Sequence, residues 1–206
     1  MTRQLLYLHG FASGPNSTKG RAFAARFPDA ERLDLRQPSF EHLRLSAMIE
    51  HVRAAIRPDT RDCAVVGSSL GGLTAARVAE RDARVTRLVL LAPAFQLMAR
   101  WRDTLGTAWD DWQRTGWRAI TDFTTGAPAR IDFGFADDAL RVDVGFPDVR
   151  VPTLVLHGVH DDVVPIDHAR RFAAGRANVR LVELDDGHEL VSSLPSILDA
   201  AAEFLA

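Results

Sequence analysis

The chain is predicted to be an α/β protein, with a mostly parallel sheet of six strands covered by helices on both faces. Short apolar runs alternate with helical patterns at both ends of the sequence. Most of these runs are apolar at consecutive residues and not only at every second one, which is what strands buried on both faces require. Composition agrees: the 206 residues are 47% hydrophobic and 25% charged, as in ordinary globular domains. A chain of this length buries roughly 70% of its unfolded surface, so its core needs no metal or disulfide.

Taken in order, Gln4 to His9 is an apolar run stopped by Gly10, too short for a helix and therefore a buried strand. After a Gly/Ser/Pro/Asn loop, Ser17 to Arg26 has helical spacing, Glu31 to Leu35 reads as a second strand, and Phe40 to Ile56 as an amphipathic helix stopped by Pro58. Asp62 to Gly67 is the third strand, Leu70 to Glu80 a helix, and Val85 to Leu91 a strand halted by Pro93. The alternation resumes with strands at Thr153 to His157 and Val179 to Leu184, and helices at Asp167 to Ala174 and Val191 to Leu205. Between them the rhythm breaks for longer than the 2 to 6 residues usual in an α/β connection. That stretch holds all four tryptophans, Trp101, Trp109, Trp112 and Trp117. Residues 1–206 are thus expected to form one domain with 94–150 as a cap or lid insertion, its tryptophans either walling a binding site or burying themselves against the sheet.

Several classes are disfavoured. A net charge of −2, from 25 basic and 27 acidic residues with no basic stripe, argues against nucleic acid as a partner. The longest apolar stretch, Leu88 to Ala99, falls well short of the ~20 residues needed to cross a bilayer. With one cysteine, Cys63, and no signal-peptide pattern at the start, a reducing cytoplasm is the expected setting.

The third strand runs into Gly67-Ser68-Ser69-Leu70-Gly71, a G-x-S-x-G sequence between a strand and a helix. Glycines there permit a sharp turn that presents the central serine at the helix N-terminus, which makes Ser69 the candidate nucleophile and Ser68 a packing residue. A serine hydroxyl needs a general base, and the base needs an acid to fix its tautomer. The loop after the fifth main strand offers Asp161 or Asp162, and the loop after the sixth offers His188. The chain order Ser, Asp, His is that of the nucleophile-elbow hydrolases, and all three positions follow strand C-termini, where open α/β sheets bind ligands.

With His9-Gly10-Phe11 closing the first strand, this pattern resembles the α/β-hydrolase superfamily over nearly the whole chain, and Leu5 to Ser13 resembles in particular the small YqiA-type esterases. The resemblance implies an oxyanion hole formed by the backbone N–H groups of Phe11 and Leu70. It also maps a H-G-x-x-D-x-x-V-P motif onto His157 to Pro165, which selects Asp161 over Asp162. The implied activity is hydrolysis of small-molecule carboxylic esters or thioesters with small to medium acyl groups, through an acyl-enzyme and without metal or cofactor. Such a base must be neutral to work, so activity is expected to fall on acidification. The tryptophan-rich stretch is a departure from a typical YqiA-type chain. Peptidase or acyltransferase chemistry on the same residues, and a non-catalytic binder of an apolar ligand, are the alternative readings.

Other features carry no site. His157 and His160, three apart in a loop without cysteine, do not make a zinc pattern. His42, His51 and His168 are expected on the solvated surface, and His9 to hydrogen-bond within its loop. Gly14 to Gly20 is not a Walker A loop, because Lys19 precedes its glycine and no Ser or Thr follows; Ser17 is a candidate helix cap. Cys63 reads as a small core residue.

Overall fold

The computed structural model describes residues 3–206. Its first half is β1 (Arg3–Leu8), α1 (Thr18–Arg26), β2 (Glu31–Leu33), α2 (Leu45–Ala55), β3 (Asp62–Ser68), α3 (Leu70–Ala79) and β4 (Val85–Leu91). An excursion follows: α4 (Leu97–Leu105), α5 (Thr107–Thr115), β5 (Trp117–Thr121), β6 (Pro128–Asp132) and α6 (Gly134–Val142). The chain then returns through β7 (Thr153–Gly158), α7 (Asp167–Ala173), β8 (Val179–Leu184) and α8 (Leu194–Leu205).

Six strands form the main sheet in the order β2-β1-β3-β4-β7-β8, every pair parallel. Side chains alternate across it with period two. Leu6, Leu8, Val65, Leu88, Leu90 and Val155 face one core with α2, α3 and α7. Tyr7, Ala64, Val66, Val89, Leu91, Leu154 and Leu156 face the other, against Phe23 of α1 and Ile197, Ala201 and Leu205 of α8. Strand order reverses direction between β1 and β3, so the loops leaving these two strands diverge and open a crevice at their C-terminal ends.

Three boundaries differ from the expectation by two residues or more, each through a tertiary contact. Residues 40–44 stay out of the helix, in a bend and turn leading to an extended Arg44, because Arg44 pairs with Asp132 at 2.7 Å and Asp132 N–H donates to the Glu41 carbonyl at 2.8 Å. The helix starts at Leu45, where Asp138 of α6 accepts from Ser46 N–H at 2.8 Å and Ser46 Oγ–H at 2.6 Å. β2 stops at Leu33 because Leu35 N–H turns to donate to His9 Nε2 at 2.9 Å. The last helix begins at Leu194, not Val191, after Ser193 N–H is taken by Asp186 Oδ2 at 2.8 Å.

The excursion between β4 and β7 has regular structure of its own: three helices and an antiparallel hairpin, β5–β6. Its two ends are held to α3 by one buried ion pair. Arg77 Nη2 lies 2.9 Å from Asp143 Oδ1 and donates also to the Val144 and Gly145 carbonyls, while Asp143 Oδ2 accepts from Leu97 N–H at 3.2 Å. Among the described residues no helix is long and apolar enough to cross a membrane.

Candidate active site

β3 ends at Ser68 and α3 begins at Leu70, which leaves Ser69 alone to make the turn. Its backbone takes φ 54° and ψ −114°, a conformation that strains a residue with a side chain by about 1–3 kcal/mol. The surroundings enforce it: a Cβ on Gly67 would collide with the Gly71 carbonyl, and one on Gly71 with the Leu8 carbonyl. Ser69 N–H donates to the Leu91 carbonyl at 2.8 Å, and the Ser69 carbonyl accepts from Leu73 and Ala94. Ser68 is buried at 3% exposure.

Three side chains from three loops meet at this turn. Ser69 Oγ lies 3.1 Å from His188 Nε2, and His188 Nδ1–H donates to Asp161 Oδ2 at 2.8 Å. That second bond fixes the tautomer and leaves Nε2 free to accept the serine proton. Asp161 is held from all sides: Oδ1 accepts from the Val163 and Val164 N–H groups at 2.9 and 2.6 Å, and Oδ2 also lies 3.1 Å from His157 Nε2. Burial pushes the Asp161 carboxyl up, but the hydrogen bonds from His157, His188 and the Val164 N–H together outweigh it. The group ends well below the usual carboxylate range, ionised and able to stabilise an imidazolium. Asp162, the neighbouring candidate, is exposed.

The loop carrying His188 is braced twice. Asp186 accepts from Gly187 and Ser193 N–H groups at 2.8 Å each. From α1, Lys19 Nζ donates to the Glu189 carbonyl at 2.8 Å and to Glu189 Oε2 at 3.1 Å. Ser17 caps α1, accepting from Gly20 N–H at 3.2 Å.

Opposite the serine, the loop after β1 is shaped by His9, 2% exposed. Its Nε2 accepts from Leu35 N–H, so Nδ1 carries the proton and donates to the Gly10 carbonyl at 2.8 Å. Burial lowers the His9 pKa, which keeps the ring neutral. Phe11 and Leu70 border the same cleft as Ser69 and His188. Leu70 is the first residue of α3, where an N–H has no partner inside the helix and the helix dipole favours negative charge.

The cleft has a volume of about 560 Å³. Of the four tryptophans only Trp101 lines it, its ring edge-on to Phe11 at 5.0 Å. Trp109 and Trp112, one turn apart on α5, point inward and pack on Phe133 at 5.4 and 5.2 Å. Trp117 lies on the hairpin beneath the Arg130 guanidinium at 4.0 Å and beside His42. These three are packing residues of the insertion and not walls of the cleft. The hairpin turn reaches the cleft through Phe123, whose N–H donates to the Ala12 carbonyl at 2.8 Å.

The remaining histidines separate. His157 is fully buried, with Nε2–H shared between Asp161 and the Val164 carbonyl at 2.8 Å. Its part in orienting Asp161 was not apparent from sequence, where its only visible signal was a place in the motif leading to Asp161. His160 turns outward to Asp185 at 2.9 Å. His42 is half exposed and bonded to Asp132 at 2.7 Å. His168 departs from the expectation of a solvated surface residue: it is half-buried and its Nδ1 is enclosed, because α7 packs that side chain inward. Among the described residues no group of three or more His, Cys, Asp or Glu is placed to hold a metal ion.

The sheet order, the turn at Ser69 and the placement of the three loops define the α/β-hydrolase fold, and solved structures similar to this chain agree. Mouse alpha/beta hydrolase domain-containing protein 10 superposes with a TM-score of 0.82 at 18% identity, over 100% of this chain and 90% of that one. Est1E of Butyrivibrio proteoclasticus, solved with ferulic acid, gives a TM-score of 0.82 at 20% identity, over 99% and 88%. A monoacylglycerol lipase of Paleococcus ferrophilus gives 0.72 at 17% identity, over 98% and 93%. No curated protein matches in sequence. The chain belongs to the uncharacterised protein family UPF0227, whose pattern matches residues 4–205.

Proposed function

We propose that this protein is a serine hydrolase of carboxylic esters or thioesters, with Ser69 as nucleophile, His188 as general base and Asp161 as the acid that orients it. The observation that carries the reading is the hydrogen-bonded series Ser69, His188, Asp161 at the floor of an open cleft. Similar folds that bear the names esterase, from Exiguobacterium antarcticum, and monoacylglycerol lipase are in keeping with it.

In the first step Ser69 Oγ attacks the substrate carbonyl as its proton passes to His188 Nε2. Negative charge on the carbonyl oxygen is met by the Phe11 and Leu70 N–H groups, and loss of one such donor costs ~10²–10³ in turnover in comparable sites. The tetrahedral species collapses, His188 returns the proton to the leaving alcohol or thiol, and an acyl-serine remains. Water then repeats the sequence, giving its proton to His188 and releasing the carboxylic acid.

A fluorophosphonate probe tests this, since it reacts with a serine only when base and oxyanion donors are assembled. The expected result is one adduct, on Ser69 by peptide mass spectrometry, with none in Ser69→Ala and with p-nitrophenyl butyrate turnover lost in the same variant. A folded protein with no adduct and no turnover would overturn the reading in favour of a binding protein.

A further inference from the structure

Three charged side chains line the cleft, Lys19, Glu189 and Arg100, and one of them stands without a direct partner. Lys19 and Glu189 neutralise each other at 3.1 Å. Asp161 lies behind His188, its side chain fully buried and both oxygens committed to the four donors described above. Arg100, on α4 of the insertion and next to Trp101, has no counterion. Among the described residues its guanidinium makes no hydrogen bond or ion pair, and its Nε is enclosed by protein with no acceptor. Burial holds the group below the ordinary arginine value, and Asp161 is the acid whose field it feels.

Groups of both signs lie behind it on α7, where His168 feels the charges of Arg100 and Arg171 and that of the Asp167 carboxylate. Arg171 donates only to the neutral amide oxygen of Gln96, at 2.9 Å, and sits over the Phe146 ring. His168 Nδ1 is buried without a partner. A half-buried guanidinium keeps its charge and loses part of its hydration, so in a cleft that Phe11, Leu70, Leu97 and Trp101 also line it is a strong hydrogen-bond donor to an oxyanion.

We propose that Arg100 binds a free carboxylate on the substrate, so that the preferred esters or thioesters carry a second, anionic group. This rests on the hydrolase reading above and names its substrate class. One unpaired cation lining the cleft matches a single negative charge, which favours a carboxylate over a doubly charged phosphate monoester. The planar guanidinium fork can take a carboxylate through two parallel hydrogen bonds, whereas an apolar acyl chain would leave it desolvated and unpaired.

The test compares monomethyl adipate with its uncharged twin dimethyl adipate, first by calorimetric binding to Ser69→Ala, which does not turn them over. The monoanion is expected to bind about tenfold tighter, with that preference lost in Ser69→Ala/Arg100→Gln and kept in part in Ser69→Ala/Arg100→Lys. The same preference is expected in the ratio of kcat/KM for the two esters, and that ratio should fall about tenfold in Arg100→Gln. Equal affinities, no binding of the monoanion, or a preference that survives Arg100→Gln overturns the proposal. Preferential binding with no turnover by the unmodified protein would instead sink the hydrolase reading and leave Arg100 as a carboxylate site.

Discussion

Replacing Arg77 by methionine keeps most of the buried stem but removes the charge that joins α3 to both ends of the insertion. The variant loses the ion pair to Asp143, the bonds to the Val144 and Gly145 carbonyls, and the contact with Glu80 at 3.1 Å. Asp143 is left with a side chain 2% exposed and only the backbone N–H groups of Leu97 and Gln96 as close donors. Stranding one member of a buried pair in this way costs about 3–5 kcal/mol. With a urea m-value of about 2–3 kcal/mol/M for a domain of this size, the midpoint should fall by roughly 1–2.5 M. The loss should also depend on pH. Burial already raises the Asp143 pKa against the pull of Arg77, and without Arg77 it rises further. A carboxyl whose folded pKa lies above its unfolded value favours folding at low pH and loses that advantage as pH climbs through the folded value. Arg77→Met should therefore be less destabilised at pH 5 than at pH 8, and Arg77→Met/Asp143→Leu should recover most of the midpoint. A double variant as weak as the single one, or a deficit independent of pH, would refute the reasoning.

Two further outcomes follow from the site. Asp161→Asn should lower kcat by about 10⁴, because the amide cannot enforce the His188 tautomer, whereas exposed Asp162→Asn should change it less than a few-fold; comparable losses in ester assays would show that the wrong acid has been assigned. His9 is buried with a lowered pKa, so as pH falls below about 6.5 the unfolded chain takes up a proton that the folded chain refuses. Its contribution is complete above that pH and drains away through the folded value. Urea midpoints at pH 7 and 5 should thus converge in His9→Gln relative to the parent, and an unchanged difference would count against it.

The fold was legible because the inner strands β1, β3, β4 and β7 are largely apolar runs bounded by Gly, Pro or polar residues, and that pattern follows directly from burial on two faces. Ser69, Asp161 and His188 were legible for a related reason: each sits in a short motif at a strand end, so local sequence fixes where the sheet will carry it. Contacts made across the chain were not. Nothing near Ser46 shows that Asp138 will cap its helix, and nothing near Lys19 shows that it will hold Glu189, 170 positions away. The tryptophans illustrate a different limit. Trp109 and Trp112 at i and i+3 mark one face of α5, but periodicity is the same whether that face meets an aromatic core or an open cleft. Only the packing on Phe133 decides it.

Lys19 is the only lysine in the chain, and its side chain is almost entirely covered where α1 meets the His188 loop. A protease that cuts only after lysine therefore has one internal target, and it can reach that target only when this rim of the cleft opens. The rate of that single cut reports a local opening free energy at the edge of the active site, separate from global unfolding. A ligand seated in the cleft would slow the cut in proportion to its occupancy. The protein thus contains a one-site reporter of ligand binding that needs no label, no chromophore and no knowledge of the substrate.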